Sequence, residues 1–553
     1  MQYIVIETFK DVLAVYRRFR DRGRLAPDSL RYLGSWVTED FRKCYQVMEC
    51  DDRRALEEWL ERWSDIVEFE VLPVLTSAAA YEALNRACER YNPPRMKRGL
   101  LFSLLCTSAL YAAPPPLDDA TRQLTRDIYK QLIEINTTDS VGNTTTAAEA
   151  MAARLKAAGF PDADIQVLGP NARKGNLVAR LRGSTREKAI LLLAHLDVVE
   201  AKREDWSLDP FVFTEKDGYY YGRGTSDDKG MAAIFIANLI RYKKEGFIPK
   251  CDLIVALTAD EEGGDYNGVS WLLKEHRDLI DAAFALNEGG GGRMKEGKRL
   301  YNGVGASEKV YVSFGLETHN KGGHSSVPRA DNAIYELAEG LVKLEKYQFP
   351  VELNEVTRTY FDRMSKIEDG STAKDMAAVA KGDKAAAERL SQTAVYNALM
   401  RTTCVATRLQ GGHADNALPQ SARATVNCRV LPAASADDVR STIVKVLNDP
   451  GIDVAWIDRP KPSAPSPLDS AIIGPIEQVT NEFWPGVPVM PLMATGASDS
   501  LYLRNAGIPS YGVSGLFAEI NDSRAHGRDE RVGVAEFYES LQFLYALVKR
   551  LAS

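Results

Sequence analysis

Three short apolar runs, each ending in residues able to do chemistry, constrain this chain most. Ile190 to Leu193 run into Ala194-His195-Leu196-Asp197, residues 252–258 run into Asp260-Glu261-Glu262-Gly263-Gly264, and residues 282–286 run into Asn287-Glu288-Gly289-Gly290. Runs of this length bounded by polar residues read as strands covered on both faces of a parallel sheet. Residues 229–244, between the first two, have helical spacing. That alternation predicts an α/β domain with a covered sheet, and in such sheets ligands bind beyond the strand ends.

The chain has 553 residues, too many for one ordinary core. Its 45% apolar and 26% charged content is that of a globular protein. A net charge of −7 without a long basic run excludes nucleic acid as an expected partner. No stretch reaches the roughly 18 to 20 apolar residues of a membrane span. The seven cysteines include no CxxC pair, so they read as buried or incidental thiols, not a zinc knuckle or a disulfide framework.

Residues 1–92 have a different texture. Strands are predicted at 3–8, 30–37, 42–48 and 67–75, with helices at 10–22 and 52–64, the second carrying Leu56, Trp59, Leu60 and Trp63 on one face. The order β-α-β-β-α-β suits a ferredoxin-like α+β domain and resembles the small dimeric α/β-barrel domains. Nothing in it looks like an active site, and a structural or dimerising role is expected. Residues 93–116 form a linker. Within it a basic head at 95–98 precedes an apolar run with small residues, then three prolines, the parts of a secretory signal peptide beginning at a mid-chain methionine. Use of that segment implies a periplasmic or secreted protein; otherwise the expectation is cytoplasmic. A buried helix or an apolar linker is the alternative.

Residues 309–432 interrupt the βαβ rhythm. Strand-like ends at 309–316 and 422–431 enclose a Lys-, Ala- and Glu-rich helical section at about 354–400. This predicts an inserted α+β lid domain, with residues 117–308 and 433–553 forming the main domain.

Each motif has a bland reading when taken alone. His195 and Asp197 make a common pair, and Gly222-Arg223-Gly224-Thr225-Ser226-Asp227-Asp228-Lys229-Gly230 reads as a helix N-terminus with a solvated charge cluster. Three adjacent carboxylates at 260–262 repel one another and call for cations or solvent. Together, two histidines and several carboxylates at strand ends suit zinc, with cobalt or manganese as substitutes. The late Arg524-Ala525-His526-Gly527-Arg528-Asp529-Glu530 supplies the second histidine.

The ordered series HLD, GRGTSDDKG, DEEGG, NEGG, GGHSSVP and a late HGRDE resembles the di-zinc family of glutamate carboxypeptidase, aminoacylase, acetylornithine deacetylase and succinyl-diaminopimelate desuccinylase, over residues 117–553. The long insertion is most similar to the carboxypeptidase S and N-acyl amino acid hydrolase branch. The resemblance implies a di-zinc exopeptidase-type catalytic domain with a lid/dimerisation domain, and hydrolysis of a peptide or N-acyl amino acid beside a free carboxylate. It also implies two Zn2+ per chain: His195 and Glu288 on one, Glu262 and His526 on the other, Asp227 bridging both. Asp197 is then expected to fix the tautomer of His195, and Glu261 to be the general base. His324 is expected to stabilise the oxyanion, often that of a partner subunit in a homodimer. Asn416, Arg429, Gly496 and Ser498 resemble residues near the substrate, although Asn416 and Arg429 equally suit buried structural polar groups. A catalytically inactive binding module on this fold is the alternative; such relatives lose the base or a metal ligand, and here none is missing.

Overall fold

The computed structural model describes residues 2–74 except 28, 39 and 40, and residues 117–553 except 459 and 460. The chain forms two compact units. The predicted linker and its export-like segment lie outside the described residues.

In the first unit the strands Gln2–Phe9, Arg31–Val37, Lys43–Glu49 and Val67–Val74 alternate with the helices Val12–Arg22 and Arg53–Glu61 in the expected order. The sheet is antiparallel, with Gln2–Phe9 paired to both Lys43–Glu49 and Val67–Val74. Period-two alternation sends Tyr3, Val5 and Met48 toward Leu56 and Trp59 of the second helix and Trp63 just beyond it. Asp11 and Asp52 begin the helices by accepting the N–H groups of Ala14 and Arg54.

The second unit is built on a ten-stranded sheet. At its centre Ser510–Gly512, Ala282–Asn287, Ala189–His195 and Leu253–Thr258 run parallel. Asn176–Leu181 and Ile165–Leu168 extend one side antiparallel. Ala189–His195 and Leu253–Thr258 are buried at every position because helices cover both faces. Helix Lys229–Glu245 is also buried over most of its length and ends at Gly246 in the left-handed region, φ 69°. Each fully buried Leu or Ile side chain here contributes about 1.5–3 kcal/mol.

A separate four-stranded sheet has its own core. Its order is Thr403–Gly411, Ser421–Val430, Val310–His319, Ile452–Trp456, with helices Ala333–Lys346 and Ala436–Leu447 packed beneath. This sheet departs from the expected insertion in two ways. It reaches past residue 432, because Ile452–Trp456 pairs with Val310–His319 and Ile443 and Leu447 bury beside it. The helical section, Glu355–Met364 to Ala394–Met400, does not belong to it. Val356, Phe361, Met376, Val379 and Met400 join the core of the large sheet instead, since their apolar faces have no other partner of that size.

The cysteine expectation also needs correcting. Cys404 and Cys428 sit opposite each other on neighbouring strands and form a disulfide. Cross-strand register brings the two Cα atoms within bonding range, which spacing along the chain does not reveal. Cys44, Cys50 and Cys251 are buried thiols, as expected.

Candidate active site

The three apolar runs are parallel neighbours, so their chemical ends converge. His195 closes one strand and lies level with Thr258 of the next. Glu261 and Glu262 follow Thr258, and Glu288 follows Asn287. Asp227 arrives just before helix Lys229–Glu245. His526 comes from 264 residues beyond Glu262, yet its Nε2 stands 2.8 Å from Glu262 Oε1.

Asp227 lies between the two histidines. Its Oδ1 is 3.0 Å from His195 Nε2 and its Oδ2 is 3.1 Å from His526 Nε2. The donor atoms of His195, Asp227 and Glu288 all lie within 4.8 Å of one another, as do those of Asp227, Glu262 and His526, and those of His195, Glu261 and Glu262. Two nitrogen-and-oxygen donor triads sharing one carboxylate fit a pair of divalent cations of the zinc type.

The electrostatics point the same way. Burial pushes Glu261 up to about 9, with further upward pressure from Asp499 and Glu262. Burial and Asp227 push Glu262 up to about 7, and burial pushes Glu288 well above the carboxylate range. Asp227 itself is driven up by burial, but hydrogen bonds from both histidines outweigh that and hold it low. Its hydrogen bond to His526 raises that imidazole to about 9. Keeping so many buried carboxylates ionised takes more positive charge than two imidazoles carry, which bound cations would supply. Asp228 Oδ2 is buried without a partner beside them.

Asp197 is close to its expected place but works differently. His195 Nδ1 is 2.9 Å from the main-chain oxygen of Asp197 and 3.7 Å from its carboxylate. The backbone carbonyl therefore sets the tautomer. The carboxylate instead accepts the N–H groups of Glu261 and Glu262, at 3.1 and 2.9 Å, and fixes the turn that carries them. Asp260, first of the three adjacent acids, turns away to pair with buried Lys174. Gly264 makes room for that, since a Cβ there meets Asp260 Oδ2 at 2.5 Å.

Glu530 closes the late HGRDE motif. It is wholly buried, and its carboxylate collects Arg223 Nη1, the N–H groups of Gly224, Ser226 and Asp227, and the Ser226 hydroxyl. Its place four residues after His526 was the available signal. Asp499 accepts from Thr258 Oγ1 and Asn267 Nδ2 and so ties the Glu261 loop to the strand end.

The substrate-side residues divide. His324 is exposed and paired with Ala417 in a short two-stranded ladder, and Ser325 N–H donates to Asn416 O beside it. These two therefore neighbour each other. Arg429 is half-buried, 4.7 Å over the Tyr311 ring, with Nη1 3.5 Å from Thr495 O. Next to Thr495, Gly496 faces open space. Ser498 does not fit its expected role: it is buried, and its hydroxyl donates to Glu308, which also holds Arg504. His276 packs at a tilt against Trp271, and His319 pairs with Glu317.

A mixed α/β sheet whose parallel central strands gather acids and histidines at their ends fits a metal-dependent hydrolase. The sequence profile of Peptidase family M20/M25/M40 matches residues 191–550, and the chain belongs to that family. It is accordingly a metal-dependent hydrolase of amide bonds. Residues 1–88 match a domain of unknown function, DUF3303. The chain is 30% identical to the N-fatty-acyl-amino acid synthase/hydrolase PM20D1 of Xenopus tropicalis, over 65% of this chain and 72% of that protein. It is 29% identical to the probable carboxypeptidase S-like 2 of Dictyostelium discoideum, over 66% and 71%. The M20 metallo-carboxypeptidase of Sulfolobus solfataricus shares the fold, with TM-score 0.60 and 17% identity, covering 79% of this chain and all of that one.

Proposed function

We propose that this protein hydrolyses the amide bond of an N-acyl amino acid or short peptide beside a free carboxylate, using two zinc ions. The observation that carries the reading is Asp227 standing between two donor triads, with Glu261 alongside. Asp227 would be shared by the two ions, with His195 and Glu288 holding one and Glu262 and His526 the other. Cobalt or manganese can substitute. A pair of such ions would supply Lewis acidity to a water and to the scissile carbonyl. Glu261 takes the proton from the attacking water and delivers it to the departing amine. Arg429 offers a guanidinium to the substrate carboxylate, close to the open loop at Gly496.

The four-stranded second sheet serves as the lid. His324 and Asn416, both exposed, suit reaching the active site of a second subunit in a homodimer, where His324 donates to the oxyanion. The first unit is a ferredoxin-like domain with a structural or dimerising role. Segment 96–113 directs export to the periplasm or outside, and the Cys404–Cys428 bond suits that oxidising destination.

The test is metal content together with hydrolysis of C-terminal dipeptides, N-acetyl amino acids and N-fatty-acyl amino acids by the full chain. About two zincs per chain and chelator-sensitive cleavage are expected. A folded, metal-free and inert protein would overturn the proposal.

A further inference from the structure

Ser498, Asp499 and Ser500 are all buried, and each spends its side chain on a different part of the site's scaffold. Ser498 donates to Glu308, at the end of strand Lys298–Glu308. Ser500 accepts from Asn287 Nδ2 at 3.0 Å, and Asn287 immediately precedes Glu288. Asp499 serves the loop that carries Glu261.

That loop, residues 259–267, leaves strand Leu253–Thr258 and returns at helix Gly268–Glu275. Asp499 closes its neck. Its Oδ2 accepts from Thr258 Oγ1 at 3.2 Å on the outgoing side, and its Oδ1 accepts from Asn267 Nδ2 at 2.6 Å on the returning side. Gly268 N–H adds a bond to Ala259 O at 2.7 Å.

Beyond the neck, Asp260 is held at φ 56°, in the left-handed region. A residue other than glycine keeps that conformation only when its surroundings over-determine it. Three contacts do so here. The Asp260 carboxylate pairs with Lys174 and accepts Tyr266 N–H at 3.2 Å, and its carbonyl accepts Asn267 Nδ2 at 3.1 Å. The same Nδ2 therefore serves both Asp260 and Asp499, while Asn267 Oδ1 is taken by Ser270 N–H at 2.9 Å. Those partners leave the Asn267 amide one orientation, nitrogen toward Asp260 and Asp499. The kink at Asp260 directs the next residue, Glu261, in among the donor groups of His195 and Glu262.

We infer that Asp499 is a positioning residue for Glu261: by holding Asn267 it fixes the kink at Asp260, and so the direction of the general base. The inference rests on the reading of the site as an amide hydrolase with Glu261 as its base. The role is one of hydrogen-bond geometry. An amide at 499 fills it too, its oxygen accepting from Asn267 and its nitrogen donating to Thr258 Oγ1.

The experiment compares Asp499→Ala, Asn267→Asp and Asp499→Asn in the zinc-loaded full chain, by steady-state kinetics, zinc content and amide exchange. Asp499→Ala should lower kcat about 10²-fold, the cost of a ~1 Å misplacement, with KM and zinc content close to wild type. Asn267→Asp keeps an acceptor for Ser270 N–H but has no N–H to give, and should fall as far; it decides the question should the alanine variant not fold. Asp499→Asn should recover most of the loss. Exchange gives a readout that needs no turnover: the N–H groups of Glu261, Glu262 and Tyr266 should exchange faster in the two disruptive variants and not in Asp499→Asn. Wild-type kcat in both disruptive variants, Asp499→Asn as impaired as Asp499→Ala, a loss carried by KM, or unchanged exchange at the turn would each overturn the inference while leaving the hydrolase reading intact. A wild-type chain that cleaves no substrate, with exchange at the turn quickened by both disruptive variants, would support the brace and sink the hydrolase reading.

Discussion

Arg223 Nη1 donates to Glu530 Oε2 at 2.8 Å, and neither side chain reaches solvent. The pair joins two segments more than 300 residues apart, and the rest of the Glu530 carboxylate gathers the N–H groups of the loop that presents Asp227. Truncating one member strands the other as a buried charge, at a cost of about 3–5 kcal/mol. Glu530→Ala should therefore lower the denaturation midpoint and also weaken zinc retention. A variant that unfolds earlier but keeps its metal at wild-type affinity would confine Glu530 to stability. The double variant Arg223→Met/Glu530→Met should recover part of the stability, because neither charge is then left alone.

Glu261→Ala should retain both metals and lose about 10²–10⁴ of kcat, the range for removing a general base. Metal analysis beside steady-state kinetics checks this. A fully active variant would move the base elsewhere in the cluster.

Stripping the metal with a chelator should abolish activity and lower thermal stability, and zinc should restore both. A ligand that binds only the folded state at a hundred times its Kd adds about 2.7 kcal/mol. Melting curves with and without zinc decide the matter, and identical curves would argue against occupied triads.

In the first unit, burial pushes Glu7 up to about 7 from an ordinary 4.5, against hydrogen bonds from Cys44 and Gln46. The folded state then holds a proton that the unfolded state releases, so the contribution is fully present below about 4.5 and is lost as pH rises through about 7. At 1.36 kcal/mol per unit the effect is roughly 3 kcal/mol. Amide exchange across the strand Gln2–Phe9 in the full chain should quicken over that window. Glu7→Gln should remove the dependence, and a variant that retains it would place the titration at another group.

The sequence alone named the residues that the fold gathers into the candidate site. Asp227 and His526 were picked out by the resemblance of their motifs, in order, to those of the family, whereas His195, Glu262 and Glu288 could be singled out because strand ends are readable from local apolar runs. The β-α-β-β-α-β order of the first unit was legible for the same reason, since periodicity is a property of neighbours along the chain. Tertiary structure decided what depends on distance in space. Register alone made a disulfide of Cys404 and Cys428. Packing sent the helices of residues 355–400 to the large core and carried the second sheet past residue 432. It gave the hydroxyl of Ser498 to Glu308, split the work of Asp197 between its carbonyl and its carboxylate, and buried Glu530 at the hub of the Asp227 loop. A side chain's type is written in the sequence, but its partner is set by the fold, because hydrogen bonds and ion pairs act over a few ångströms, regardless of the hundreds of residues between.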